Sequence, residues 1–289
     1  MVMMFQDRLQ AQRFEFKYIV SESTALGVRN FVRSYLDPDE YGASMPDFSY
    51  PVHSLYLDSP DLRLYHATIN GEKNRFKLRL RFYENWDDAP VYFEIKRRMN
   101  NTISKQRGAV RRDKVDELLA GQLPDPAHLV VPDPKHLVAL QNFCHLMSTL
   151  QAAPRTHVAY RREAWLSRHD NSVRVTLDRD VRTEAQPAPR IDCRMANPRL
   201  VFGDRVVLEL KFTGRFPDWF RELVRVFGLM QCGAAKYADG VTRLGPQSVS
   251  NWVSADYYVA AEQRLRRIDQ AAVDGAPASE AFSNPNWSI

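Results

Sequence analysis

The chain has 289 residues, 44% of them hydrophobic and 11% aromatic, enough to bury one large core or two small ones. Forty lysines and arginines against 35 aspartates and glutamates leave a formal net charge of +5, which a solvated surface carries easily and which names no partner. No apolar run approaches the roughly 20 residues that span a bilayer, the opening Met1-Val2-Met3-Met4-Phe5 is too short for a secretory h-region, and Cys144, Cys193 and Cys232 fit neither a disulfide framework nor a thiolate metal site. Buried free thiols in a soluble cytoplasmic protein are therefore expected.

Short alternating segments broken by a few amphipathic helices predict a strand-rich body over about residues 10–245. Arg13 to Ile19 alternates charged and apolar residues, as a strand does. Ser21 suits the cap of a helix through about Leu36, with Leu26, Phe31, Val32 and Tyr35 near one side. Val52 to Leu57 predicts a second strand, and Ser59-Pro60-Asp61 a helix start that Gly71 follows. Phe76 to Tyr83 and Val91 to Arg98 read as a hairpin with a long connection. Asn100 to Gly108 is polar and basic, either a loop or the entrance to a strand. Asp113 to Ala120 and Pro134 to Leu150 predict helices; Val158 to Trp165, Val173 to Asp180 and Arg205 to Phe212 predict strands. Pro217 opens a further helix ended by Gly228, whose Trp219 to Phe227 stripe reads as core packing. The tail, 246–289, predicts one helix capped by Ser254 and reaching about Ile268, then a mobile end rich in Ala, Ser, Asn and Pro.

Residues two apart share a face of a strand. Lys77, Arg79 and Arg81 thus oppose Phe76, Leu78, Leu80 and Phe82. Glu94 and Lys96 oppose Val91, Phe93 and Ile95; Glu209 and Lys211 oppose Leu208, Leu210 and Phe212. Arg174, Thr176 and Asp178 oppose Val173, Val175 and Leu177, and Glu15 and Lys17 oppose Phe14, Phe16 and Tyr18. A half-solvated antiparallel sheet would satisfy the same alternation. Three like charges in a row, however, repel unless an anion or carboxylates lie opposite, and the amphipathic helices need the apolar faces to cover. An α+β fold is expected, and if these strands close, with the charged faces looking at one another, they form an antiparallel β-barrel, ionic inside and apolar outside under its helices. Such an interior focuses a positive field along its axis and suits linear oligophosphate, gripped by arginine forks and lysine charges, with carboxylates holding a bridging metal.

These segments, in order, resemble the triphosphate tunnel metalloenzymes (the CYTH-like superfamily), and within them the polyphosphate polymerase domain of the vacuolar transporter chaperone (VTC) family. The resemblance covers about Arg13 to Val241. It is carried by Arg13-Phe14-Glu15-Phe16-Lys17-Tyr18, Ser54-Leu55-Tyr56-Leu57-Asp58, Leu78-Arg79-Leu80-Arg81-Phe82-Tyr83 and Phe93-Glu94-Ile95-Lys96, and further along by Val173-Arg174-Val175-Thr176-Leu177-Asp178, Leu208-Glu209-Leu210-Lys211 and Ala235-Lys236-Tyr237. It implies a tunnel in which the γ-phosphoryl of ATP passes to a growing polyphosphate chain, with Mn²⁺ or Mg²⁺ as cofactor. Lys17, Arg79, Arg81, Lys96, Arg174 and Lys236 match its phosphate-gripping, catalytic positions, and Glu209 its metal-binding glutamate. Lys105 and Arg107 fall near the tunnel mouth and join Lys77 and Lys211 as substrate-binding candidates. Glu15 and Glu94 are further metal candidates, or neutralise lysines.

Two positions depart from the wider pattern. Arg13 stands where the superfamily has the first glutamate of Glu-x-Glu-x-Lys, as in the polymerase branch, and Ala235 stands where polymerases often have serine. Expected ligands are ATP, polyphosphate, triphosphate and pyrophosphate. A membrane-protein partner would follow from the resemblance. Nucleic acid is not expected, because the aromatics lie opposite the charges. His53, His128, His136 and His157 share no metal spacing. A triphosphate hydrolase and a non-catalytic polyphosphate-binding module remain the alternative readings.

Overall fold

The computed structural model describes residues 13–100, 102–168, 170, 172–250, 266, 269 and 270. Ten strands and eight α-helices occur among them: β1 (Arg13–Val20), α1 (Glu22–Val32), β2 (Asp37–Pro38), α2 (Glu40–Ala43), β3 (Ser49–Asp58), α3 (Arg63–Ile69), β4 (Asn74–Phe82), β5 (Val91–Met99), β6 (Thr102–Val110) and α4 (Val115–Leu119), then α5 (Pro134–Thr149), β7 (Ala153–Leu166), β8 (Val173–Ala185), β9 (Arg199–Leu200), β10 (Val206–Thr213), α6 (Asp218–Val226), α7 (Lys236–Leu244) and α8 (Pro246–Val249). The tail helix expected from Ser254 lies, but for Arg266, outside the described residues. No helix among them is long and apolar enough to cross a membrane.

The long strands pair antiparallel in the order β7-β3-β4-β5-β6-β1-β10-β8, and β8 pairs back onto β7. The wall therefore curls round on itself. Its weak line is the seam between β6 and β1, where one registered pair, Arg13 with Ile103, occurs among the described residues.

The alternation expected of the strands is what faces the two sides of this wall. Leu55, Leu57, Leu78, Leu80, Phe82, Val91, Phe93 and Ile95 point outward and bury against Leu140, Phe143 and Met147 of α5 and Val115 and Leu118 of α4. Gly108 of β6 lets α5 come close, since a Cβ there would lie 2.9 Å from the carbonyl oxygen of His136. On the far side, Val175, Leu177, Leu208, Leu210 and Phe212 pack under Ala25, Val28 and Val32 of α1 and Phe220 and Leu223 of α6. The Trp219 stripe is thus core packing, with Trp219 stacked on Tyr35 at 4.6 Å.

Several boundaries differ from expectation for physical reasons. The basic stretch after Asn100 is a full strand, β6, paired with β5 from Val91–Val110 to Met99–Thr102. Helix α1 stops at Val32 and buries Ala25, Val28 and Val32, whereas Leu26 and Tyr35 are exposed. Helix α3 begins at Arg63, three residues beyond Pro60, because Leu62 takes a left-handed conformation (φ 55°). There Asp58 accepts from the backbone N–H groups of Leu64 and Tyr65, both at 2.9 Å, and Ser59 Oγ from that of Arg63. These are donors that a helix start leaves without intrahelical partners. Of the three free thiols only Cys232 is buried; Cys144 and Cys193 are partly exposed, unlike the expectation.

The interior is not ionic throughout. Helix α7, which no pattern announced, packs inside the wall with α3. Tyr237, Ala238 and Val241 join Val52, Tyr56, Val158, Val181 and Val207 in an apolar core on that side. Gly240 permits the approach, as a Cβ there would sit 2.8 Å from Thr183 Oγ1.

Candidate functional site: an ionic tunnel

Next to that apolar plug, strand alternation brings the charged faces of β1, β4, β5, β8 and β10 together, as the sequence led one to expect. Glu15 takes the ammonium of Lys96 at 3.0 Å and that of Lys17 at 3.3 Å. Lys17 also reaches Glu209 at 3.4 Å and donates to the Ala234 carbonyl at 2.8 Å. Glu94 receives Arg79 at 2.6 Å and Lys105 at 3.8 Å. Glu209 accepts from Lys236 at 3.0 Å and from Lys211, and lies 3.8 Å from Arg162.

Burial alone would push these carboxyls toward the neutral form, but the cations around them win. Lys96 and Lys17 hold Glu15 well below the usual carboxylate range, Arg79, Arg81 and Lys105 do so for Glu94, and Lys211, Lys236, Lys17 and Arg162 do so for Glu209. The amines divide. Burial would lower Lys17 and Lys236, yet adjoining carboxylates raise both. For Lys211 burial outweighs Glu209 and pulls the ammonium down to about 7; for half-exposed Lys105 it outweighs Glu94 and gives about 8. Lys77 is pushed well below an ordinary lysine by burial and then by Lys17 and Lys96.

Not every cation is compensated. Among the described residues Lys77, Arg81 and Arg107 have no ion pair: Arg81 donates to the hydroxyls of Ser54 and Tyr160 (2.9 Å), and Arg107 lies over the Tyr92 ring at 4.8 Å. Arg174, the cross-strand neighbour of Lys211, pairs with Asp39 at 3.3 Å and not with the carboxylates the lysines share. Asp178, on the same strand face as Arg174, holds Arg162 (2.7 Å) and Lys236 (2.6 Å).

Arg162 was not singled out in the sequence. It points inward from β7, contacts Asp178 and Glu209, and lies 5.1 Å over the Tyr160 ring. Its segment, Arg161-Arg162-Glu163, is charged on both faces of the strand, because Glu163 is buried on the outer side by Arg29 and Arg179. Only the shared parity of Val158, Tyr160 and Arg162 could have marked it. The expectation that aromatics lie opposite the charges also fails for the tyrosines. Tyr56, Tyr92 and Tyr160 sit on the cation face, Tyr56 accepting from Arg79 at 3.2 Å.

For a divalent metal the donor chemistry fits in part. Among the described residues no three acids, histidines or cysteines converge. Pairs do. Glu15 and Glu209 meet at the Lys17 ammonium, and Asp178 and Glu209 at the Lys236 ammonium, which marks both points as cation positions lined by carboxylate oxygens. Two carboxylates with phosphate oxygens and water suit Mg²⁺ or Mn²⁺. Glu94 is taken up by Arg79 and Lys105 and joins neither pair. Ala235 brings no hydroxyl, and its backbone N–H is held by Asp239 at 2.7 Å.

The family model described as the VTC domain matches residues 12–244. Among solved structures, the "putative adenylate cyclase" of Bacillus halodurans is 14% identical, covering 82% of this chain and 98% of its own, with a TM-score of 0.46. That of Vibrio parahaemolyticus is 11% identical, covering 80% and 98%, with a TM-score of 0.40. No curated protein sequence matches. The chain belongs to the VTC domain family, and its antiparallel sheet curls round on itself with helices packed outside.

Proposed function

We propose that the protein is a metal-dependent phosphotransferase that extends a polyphosphate chain with the γ-phosphoryl of ATP. The observation that carries this reading is the state of the interior acids. Glu15, Glu94 and Glu209 are held ionised by several cations each, so they make poor bases for activating water. A terminal phosphate is already an oxyanion at neutral pH and needs no base, so a tunnel that only positions and neutralises is sufficient for phosphoryl transfer.

In this reading Arg81, with no carboxylate of its own, takes phosphate oxygens first. Arg79, Lys96 and Arg174 complete the grip on the β- and γ-phosphates, shared with the carboxylates they already hold. Lys17 and Lys236 neutralise charge at the transferring group, and Lys77, Lys105, Arg107 and Lys211 bind the remaining chain. Glu209 with Glu15 would hold Mn²⁺ or Mg²⁺, which when bound supplies charge neutralisation across adjacent phosphoryl oxygens.

One observation favours a second reading, hydrolysis of triphosphate. Lys211, at about 7, is an amine able to take a proton from water near neutral pH. Incubation with ATP and Mn²⁺ or Mg²⁺, followed by separation of long polyphosphate from free phosphate, decides between them. Polymer supports transfer to phosphate; orthophosphate alone rejects it in favour of hydrolysis; tight binding with neither product leaves a binding module.

A further inference from the structure

At the rim of the tunnel a group of tyrosines stands on the same face as the phosphate-gripping cations. Tyr41 of α2 is 62% exposed, and its ring is parallel to that of Tyr83 within 4°, centroids 6.4 Å apart. Tyr83 meets Tyr92 edge-on at 6.1 Å, and Tyr50 closes the group against Tyr41 at 5.6 Å. Tyr92 is the registered partner of Arg81 across β4 and β5, and the Arg107 guanidinium lies 4.8 Å over its ring. The group is therefore continuous with the unpaired cations of the tunnel. A rim built to admit only inorganic phosphate has no use for an exposed aromatic ring, which is poorly hydrated and offers an anion little. Planar π-faces beside a phosphate grip suit a ligand that carries both a planar ring and a phosphate chain.

We propose that Tyr41, Tyr83 and Tyr92 form a stacking site for the base of a nucleoside triphosphate whose phosphates lie on Arg81 and Arg107. The inference rests on the nucleotide reading above and adds to it a place for the base. Stacking on ring faces tolerates any base, so the site selects nucleotides over inorganic phosphates more strongly than it selects among nucleotides, and holds purines better than pyrimidines because they offer more ring area.

The test is calorimetric titration of the full chain with ATP and, separately, with inorganic tripolyphosphate, in the wild type and in Tyr41→Ala and Tyr92→Leu. Tyr41 is exposed and its removal leaves the core intact; Tyr41→Phe keeps the ring and serves as the conservative control. The expected result is ATP affinity lowered about five- to tenfold by Tyr41→Ala and by Tyr92→Leu and restored in Tyr41→Phe, with tripolyphosphate affinity unchanged in Tyr41→Ala and lowered less than ATP affinity in Tyr92→Leu, whose ring also supports Arg107. Equal losses for both ligands would mean that the tyrosines only position cations, and no loss for either that the base lies elsewhere; each overturns the proposal. Wild-type binding of tripolyphosphate but not ATP overturns it too, while leaving the anion tunnel standing. Failure of the wild type to bind either ligand removes the tunnel reading and this one together.

Discussion

The interior of this barrel is made in two chemistries by the same strands. Along β1 the inward residues run Glu15, Lys17 and then Ile19; along β8 they run Arg174, Thr176, Asp178 and then Val181; along β10, read backwards, Lys211, Glu209 and then Val207. The change from ion lattice to apolar core takes one alternation on β1 and β10 and, on β8, a step past the left-handed Asp180, and it falls where α7 begins, with Lys236 on the ionic side and Tyr237 on the other. The lesson is that a charged tunnel need not depend on its charges for its shape. The apolar half and the outer clusters hold the wall, which leaves part of the ionic half free to be mismatched for a ligand.

If that division is right, the largest effect on folding should come from the plug and leave the ligand untouched. Asp58 is fully buried and accepts from three backbone N–H groups and from Tyr237 Oη at 2.6 Å, latching α3 and α7 together. Asp58→Ala leaves those donors unsatisfied and should cost about 3–5 kcal/mol in denaturant unfolding. Triphosphate affinity of the fraction that folds should be unchanged. A stable variant with weakened binding would place Asp58 in the ligand site.

Within the ionic half, Arg79 and Arg81 should part company although the sequence presents them as equivalents. Glu94 is 1% exposed and depends on Arg79. Arg79→Ala should therefore destabilise the fold by about 3 kcal/mol, since one partner of a buried pair is removed. Arg81 holds only hydroxyls. Arg81→Ala, which removes a more distant charge from Glu94, should cost less stability than Arg79→Ala but weaken triphosphate binding by about 30- to 100-fold, the loss of charge-assisted hydrogen bonds. The same experiment in the wild type should show saturating triphosphate, at about 100 times Kd, adding about 2.7 kcal/mol of stability. Identical behaviour of the two arginine variants would erase the distinction between lattice and ligand grip.

How much of this was legible in the sequence follows from what each segment has around it. β4, β5 and β10 have one wet or ionic face and one dry one, so their period of two writes the lining residues directly. β6 hid its strand because Lys105 and Arg107 alternate with exposed Ser104 and Gln106, giving no apolar face before Gly108. Helix α7 hid for the opposite reason. From Lys236 to Thr242 every residue is buried, Lys236 and Asp239 included, so the polar residues of this short helix do not mark a solvent side. Arg162 was masked by the buried Glu163 network behind it. Curling of the sheet onto itself rests on the β7–β8 pairing, which local pattern does not express but the family resemblance supplied.

The smallest effect is the most direct probe of mismatch in the ionic half. Lys211 and Lys105 are held by burial at about 7 and about 8, below an ordinary lysine. Between those values and roughly pH 10 the unfolded chain binds more protons at these groups than the folded one, so their contribution to stability rises with pH across that window. The depressed carboxylates act at the other end. Their contribution is present above about pH 4 and is lost as pH falls below it toward their folded values. A polyanion entering the tunnel reverses the amine shifts, because its charge favours the ammonium form. Binding of tripolyphosphate at pH 8 should therefore take up a fraction of a proton to about one proton per ligand, read from the dependence of binding heat on the ionisation enthalpy of the buffer. Lys211→Met should reduce that uptake while folding normally. Heats that do not vary with buffer would mean that both amines are already charged in the free protein, and that the ionic half is balanced before any ligand arrives.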